Sequence, residues 1–250
     1  MSKYNKRQRN LYIKGQKESF TISRSKIESF FQCQRCFYLD RRLGLGKPSM
    51  PGWALNSAVD HLLKNEFDLL RESGQKHALM KKYEVDAIPL KHKDLPEWRG
   101  DVNLFSGAKY LHKKTNLIID GLIDDIWINK DKEFLIVDYK STSINGEVDL
   151  EGEYKQGYKR QMEIYQWIFR QLGFKVSNTG YFVYANGLKG DRIFDGKLEF
   201  DLTLIPYNGN DDWVEPIILE IKKVLESDKL PDCAEDCEYC AYRALIKDEE

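Results

Sequence analysis

The chain has 250 residues, 42% hydrophobic and 32% charged, with a formal net charge of −1. That balance excludes wholesale disorder, supplies enough apolar material for a real core, and is not that of a polycation coating DNA. No apolar run approaches the ~20 residues of a membrane-spanning helix and the start lacks a signal peptide's apolar segment, so a soluble, cytoplasmic protein is expected.

The first 17 residues, "MSKYNKRQRNLYIKGQK", hold six Lys or Arg and no acid. Residues 1–20 are read as a flexible basic arm, either solvated or touching phosphates. No internal repeat or low-complexity linker interrupts residues 21–250, which are expected to form a single α/β domain.

"SRSKIESFFQCQRCFYLDRRLGLG" reads as one helix. Ser25 and Glu28 have capping-box spacing, Ile27, Phe30, Phe31, Phe37 and Tyr38 supply an apolar face, and Gly44 is the stop. After "KPSMPG" a second helix is expected from Ala54 to Arg71, with Leu55, Val59, Leu62, Leu63 and Leu70 at helical spacing. Residues 75–116 show little periodicity and read as partly loop, with a strand at "YEVDAI".

"LIIDGLIDDIWINKDKEFLIVDYKST", residues 117–142, reads as a hairpin of two apolar runs around a charged turn. "EYKQGYKRQMEIYQWIFRQLG" follows as the strongest helix, with Tyr158, Met162, Tyr165, Phe169 and Leu172 on one stripe and Gly173 closing it. "NTGYFVYANG" is a further strand, and "KLEFDLTLIPY" an edge strand with Leu198, Phe200, Leu202 and Leu204 inward. "DDWVEPIILEIKKVLESDKLP" is a last amphipathic helix.

The hairpin raises a chemical question, because Asp124, Asp138 and Lys140 stand where strand residues are usually apolar. Residues two apart share a face, so Asp138 and Lys140 point the same way. If Lys130, Asp131 and Lys132 form a three-residue loop, Asn129 pairs with Glu133 and Asp124 lies opposite Asp138. A two-residue loop pairs Asp124 with Val137 and separates the carboxylates. In the first register two acids and an ammonium converge, an arrangement suited to a hard divalent cation with oxygen ligands. The competing reading is a surface ion pair.

"GLIDDI", then "FLIVDYKST", then "YKRQMEIY" together resemble the nuclease signature of the PD-(D/E)XK superfamily, and within it the RecB-type exonuclease branch with its CRISPR-associated and AddB-like relatives. The resemblance implies a restriction-endonuclease-like core, a central mixed β-sheet flanked by helices, and a Mg²⁺- or Mn²⁺-dependent deoxyribonuclease acting on DNA with single-stranded ends. It makes Asp124 and Asp138 the metal carboxylates, the Tyr139 carbonyl a further ligand and Lys140 the catalytic lysine. Gln161 and Tyr165, four apart on one helical face, would be the helix motif, although Tyr165 also lies on the apolar stripe. Where the branch places a metal-binding histidine, "LNSAVDHLLKNEFD" aligns Asp60 with that slot and leaves His61 one residue on; a step of one turns a helix by 100°, and Asp60 is favoured. Asp120 and Asp125 do not match the ligand slot. DNA would meet local cations such as "RQRN", Arg41, Arg42, Lys155, Lys159 and Arg160. A non-catalytic nucleic-acid-binding subunit is the alternative, and protein partners in a repair, CRISPR or phage system are not readable.

Five cysteines complete the reading, with none in the 196 residues between Cys36 and Cys233. The odd count speaks against a disulfide set, and the Cys33/Cys36 and Cys237/Cys240 pairs have the spacing of a thiolate metal site stapling segments 25–45 and 230–245. Cys233 is spare in that set, while Cys33, Cys233, Cys237 and Cys240 form a rival one. The family resemblance points to a [4Fe–4S] cluster; sequence does not separate it from Zn²⁺.

Overall fold

The computed structural model describes residues 6–48, 52–103, 105–190 and 193–249. The chain falls into two compact units that it visits alternately: residues 1–51, 110–120 and 212–250 form one, and residues 52–109 and 121–211 the other.

In the first unit, β1 (Phe20–Ser23) leads into α1 (Arg24–Gln32) and α2 (Gln34–Leu43). β3 (Ala108–His112) and β4 (Leu117–Gly121) complete a small sheet in the order β1-β4-β3, with Phe20 beside Leu117 and Ser23 beside Asp120 in parallel. α7 (Val214–Glu226) and α8 (Glu238–Glu249) follow. Ile22, Ile27, Phe30, Phe37, Leu117, Ile119, Ile218 and Ile221 are buried as this unit's core.

The single helix expected over residues 25–44 is two. Cys33 is extended, at φ −168° and ψ 111°, and its sulfur accepts the Cys36 N–H. The break lets Cys33 end α1 and cap α2, a local demand that outweighs continuation of the apolar stripe. The capping box does not form either, because the N-cap is Ser23 and Ser29 Oγ donates to the Ser25 carbonyl. Gly44 does stop the helix, at φ 72° in the left-handed region. The basic N-terminal stretch is tied down from Arg7 onward. Arg7 reaches Asp40 Oδ1 at 3.0 Å, Tyr12 is buried with its hydroxyl on Glu226, and the Gly15 N–H donates to the same carboxylate. Met1–Asn5 of the expected arm lie outside the described residues.

The second unit is built on the sheet order β2-β5-β6-β7-β8. These are β2 (Ala87–Pro89), β5 (Asp125–Asn129), β6 (Phe134–Thr142), β7 (Thr179–Gly187) and β8 (Phe200–Asn208). Only the β6–β7 pair is parallel; the crossover it requires carries α6 (Gln156–Gln171). α3 (Ala54–Ser73) and α4 (Ala78–Lys82) cover the face bearing Trp127, Leu135, Val137, Tyr139 and Val183. The other face, with Asp138, Gly180 and Phe182, receives α6: a Cβ on Gly180 would meet the Met162 sulfur at 2.5 Å. This is a mixed α/β core, a curled sheet with helices on its faces.

The region 75–116 holds α4, β2, α5 (Leu95–Arg99) and β3, more structure than expected. Elements of three to five residues are too short to show a period. The hairpin reading also changes: β4 belongs to the first sheet, and only β5 pairs with β6. α6 is buried without interruption from Gln161 to Phe169, not along one stripe. Its polar members find partners, with Glu163 accepting from Tyr207 Oη at 2.6 Å and Gln166 donating to the Asn178 carbonyl at 2.8 Å. β8 is an edge strand on which Leu204 is buried and Phe200 and Leu202 are half-buried, while Leu198, expected inward, lies before the strand and is exposed.

Candidate active site and cysteine centre

The β5–β6 turn sets the site. Asp125 faces Val137, Ile128 faces Phe134, and the Asn129 N–H bonds the Glu133 carbonyl at 3.2 Å. Lys130–Lys132 are therefore a three-residue loop with Lys132 at φ 62°, the left-handed residue such loops use. Asp124 sits one residue before β5, in a bend at the end of this register, next to the strand that carries Asp138.

Asp138 is fully buried. Its Oδ1 accepts the Gln161 amide at 2.6 Å, and its Oδ2 is ion-paired to the Lys140 ammonium. Gln161 also donates to Tyr165 Oη at 3.2 Å, and the Tyr165 ring lies on Gly121, where a Cβ would meet it at 2.6 Å. The glycine, the aspartate, the lysine and the Gln-x-x-x-Tyr pair read from the sequence thus form one chain of contacts. Asp124 Oδ2 accepts the Tyr139 N–H at 2.8 Å. Enclosure, then the charge of Asp138, pushes the Asp124 carboxyl up to about 7; Asp60 adds to this while Lys140 and Lys64 oppose it. Burial works against the charge on Lys140, but Asp138 and Asp124 outweigh it and hold the ammonium up.

Asp60, on α3, is half-buried and paired with Lys64 at 3.0 Å. His61, one residue on, is exposed and its ring meets Asn65 at 3.2 Å. Of the two, Asp60 is the one whose charge acts on Asp124. Asp138 and Asp60 both act on the Asp124 carboxyl, with Lys140 and Lys64 set against them, so three acids and two lysines share one electrostatic neighbourhood.

Sequence reasoning missed the far side of this strand pair. The Tyr139 hydroxyl donates to Asp125 Oδ2 at 2.9 Å, and Arg71 meets Asp125 Oδ1 at 2.5 Å and the Leu90 carbonyl at 2.7 Å. Asp125 is thus a buried structural acid that fixes Tyr139 between Asp138 and Lys140. The Lys140 ammonium stands 4.6 Å over the Tyr158 ring, a contact to which only the helical spacing of Tyr158 gave a hint. Several cations expected to meet DNA are engaged by this chain instead: Arg41 is buried, Arg42 meets Asp228 at 3.5 Å, and Lys155 meets Asp149 at 2.5 Å.

In the first unit Cys33, Cys36, Cys237 and Cys240 converge, with all four sulfurs within 4.8 Å of one another. Cys36 lies 3.6 Å from Cys237 and 3.7 Å from Cys240, and Cys33 lies 3.9 Å from Cys240. Cys33 caps α2, and Cys237 directly precedes α8, so each pair sits at a helix N-terminus, where a thiolate is favoured. Burial raises Cys33, but the N–H groups of Ala234 and Cys36 outweigh it and bring the thiol down to about 7; burial drives Cys240 up to about 11. Cys233 is exposed and outside the group. The set joins the N- and C-terminal segments and can bind a metal.

No curated protein matches the chain. A solved structure described as the crystal structure of SSO0001 aligns with 92% of this chain and 87% of its own at 17% identity, with a TM-score of 0.36. The model of one family, the PD-(D/E)XK nuclease superfamily, matches residues 54–245. That match runs from the start of α3 into α8 and includes Asp60, Asp124, Asp138, Lys140, Gln161 and Tyr165, and the chain belongs to the PD-(D/E)XK nuclease superfamily.

Proposed function

We propose that this protein is a Mg²⁺- or Mn²⁺-dependent deoxyribonuclease of the RecB-type branch, acting as an exonuclease on DNA with single-stranded ends. Superfamily membership makes it a metal-using phosphodiester hydrolase of nucleic acid. The observation that carries the finer reading is the contact chain Gly121–Tyr165–Gln161–Asp138–Lys140 beside Asp124. Asp60, Asp124 and Asp138 are the residues that would hold the divalent cation, which would neutralise phosphate charge and acidify a water. Gln161 fixes Asp138 so that its carboxylate does not rotate away. Lys140, released from Asp138, orients the attacking water and balances charge on the phosphate. The water oxygen bonds to phosphorus, the bridging P–O bond breaks, and the leaving oxygen takes up a proton. Tyr154, 70% exposed and edge-on to Tyr158 at 6.3 Å, offers a stacking surface for an unpaired base, which supports the single-stranded end.

The test is degradation of end-labelled linear DNA in Mn²⁺ by the wild type, Asp138→Asn and Lys140→Met. Stepwise loss of label by the wild type alone supports the proposal. Binding without cleavage by all three proteins points to a nucleic-acid-binding subunit instead.

For the cysteine centre the spacing favours one ion. Sulfurs ~2.3 Å from a tetrahedral zinc stand ~3.8 Å apart; three of the six separations here are 3.6, 3.7 and 3.9 Å, and all six lie within 4.8 Å. A [4Fe–4S] cube puts each thiolate on its own iron corner and spreads them farther. Zn²⁺ is therefore the proposed occupant over the cluster that the resemblance implies. Metal and sulfide analysis of anaerobically purified protein decides, since iron with sulfide restores the cluster.

A further inference from the structure

One polar group beside the candidate site has no role in the scheme above. Tyr184 on β7 is the register partner of Lys140 on β6, so in this parallel pair the two side chains stand on the same face as Asp138. Tyr184 is 3% exposed, and its hydroxyl has no hydrogen-bond partner among the described residues. An unmade hydrogen bond in the interior is a standing cost, and phenylalanine would pack the same ring without it. The ring is therefore not the whole reason for a tyrosine here. Its phenol is raised by burial first, and the groups whose charge then acts on it are, in order, Tyr158, Asp138, Tyr154 and Asp149. Tyr158 is the ring under the Lys140 ammonium, and Tyr154 is the exposed ring beside it. By register the Tyr184 side chain flanks Lys140 on the sheet face that carries Asp138, where the nuclease reading puts the scissile phosphate.

We propose that the Tyr184 hydroxyl donates a hydrogen bond to a non-bridging oxygen of the scissile phosphate, beside Lys140. The proposal rests on the nuclease reading. It makes Tyr184 a substrate-contacting residue whose donor is kept free of protein acceptors for the charge that grows on phosphate oxygen during the reaction.

The experiment compares wild type, Tyr184→Phe and Lys140→Met on an end-labelled oligonucleotide in Mn²⁺, with melting temperatures measured alongside. Tyr184→Phe is expected to lower kcat about 10- to 100-fold, as loss of one donor to a developing charge does, while its melting temperature holds or rises. Two oligonucleotides carrying one or the other phosphorothioate diastereomer at the scissile linkage test the contact itself. Sulfur is a poor acceptor, so the Tyr184→Phe penalty should shrink on one diastereomer and persist on the other. A kcat within two-fold of wild type overturns the proposal, as does an equal penalty on both diastereomers or a rate loss that tracks a fallen melting temperature. If the wild type is active, Lys140→Met inert and Tyr184→Phe unimpaired, the nuclease reading survives and this contact does not. An inert wild type removes both.

Discussion

Asp138 uses both carboxylate oxygens before any substrate arrives, one on Gln161 and one on Lys140. Gln161 therefore acts through Asp138, and Gln161→Met should lower kcat about 10-fold and raise the Mn²⁺ concentration for half activity, with little change in melting temperature. A variant that loses stability and activity together, at unchanged Mn²⁺ dependence, would show a packing role only. Asp124 offers a test by pH. An aspartate ordinarily gives up its proton near 4, whereas Asp124 keeps it up to about 7. The folded state then binds the extra proton between those values, so Asp124 subtracts stability as pH rises through that window and subtracts its full share above it. In metal-free protein Asp124→Asn should thus be more stable than wild type by about 1–2 kcal/mol at pH 8 and equal to it near pH 4, read from urea midpoints. The same gain at both values would remove the ionisation argument. At this scale the shared face of Asp138 and Lys140 was legible, because alternation puts strand residues two apart on one side; the three-residue loop was one of two registers the sequence left open. The pair Arg71–Asp125 was not legible, since two buried charges 54 residues apart leave no periodic trace.

Elements were legible in proportion to their length. α3 and α6 span 20 and 16 residues, enough turns to be read as helices, and α3 runs two residues past the expected Arg71 to a stop at Gly74, φ 66°. α4, α5 and β2, with five, five and three residues, carry no period to read. The α1–α2 break was hidden for another reason: Ile27, Phe30 and Phe37 are buried as one apolar stripe would require, and only the backbone at Cys33 departs from it. Where two elements meet, a glycine carries a prediction. Gly121, at the end of β4, makes room for the Tyr165 ring of α6, so a methyl group there must displace the ring that receives the Gln161 amide. Gly121→Ala should cost about 1–3 kcal/mol of stability from overpacking. It should also slow cleavage more than the modest drop in folded population explains. Gly146→Ala is the control for cavity filling, since nothing lies within 4 Å of its Cβ position, although its own φ of 101° adds backbone strain. A Gly121→Ala protein with normal kcat would disconnect Tyr165 from the site.

For the molecule as a whole, the decisive spacing was the longest one. About 200 residues separate Cys36 from Cys237, yet their sulfurs lie 3.6 Å apart. Closing a loop of that length costs on the order of 5 kcal/mol in chain entropy, which the apolar core of α1, α2 and α7 shares with the thiol centre. Four thiolates on one structural ion contribute roughly 10–16 kcal/mol of binding free energy near neutral pH, which more than offsets the closure. Metal should therefore hold the terminal segments together, and its loss should show there first. We expect Cys36→Ser and Cys237→Ser to lose bound metal, melt at least several degrees lower and become sensitive to limited proteolysis within residues 24–43 and 214–249. Cys233→Ser should match the wild type in all three measurements, because Cys233 is exposed and apart from the four. A strong thiol-competing chelator should reproduce the Cys36→Ser phenotype in the wild type and leave the Cys36→Ser protein unchanged. The arrangement is refuted by a Cys233→Ser protein that loses its metal while Cys36→Ser keeps a full equivalent, since the ligand set would then be the rival one built on Cys33, Cys233, Cys237 and Cys240.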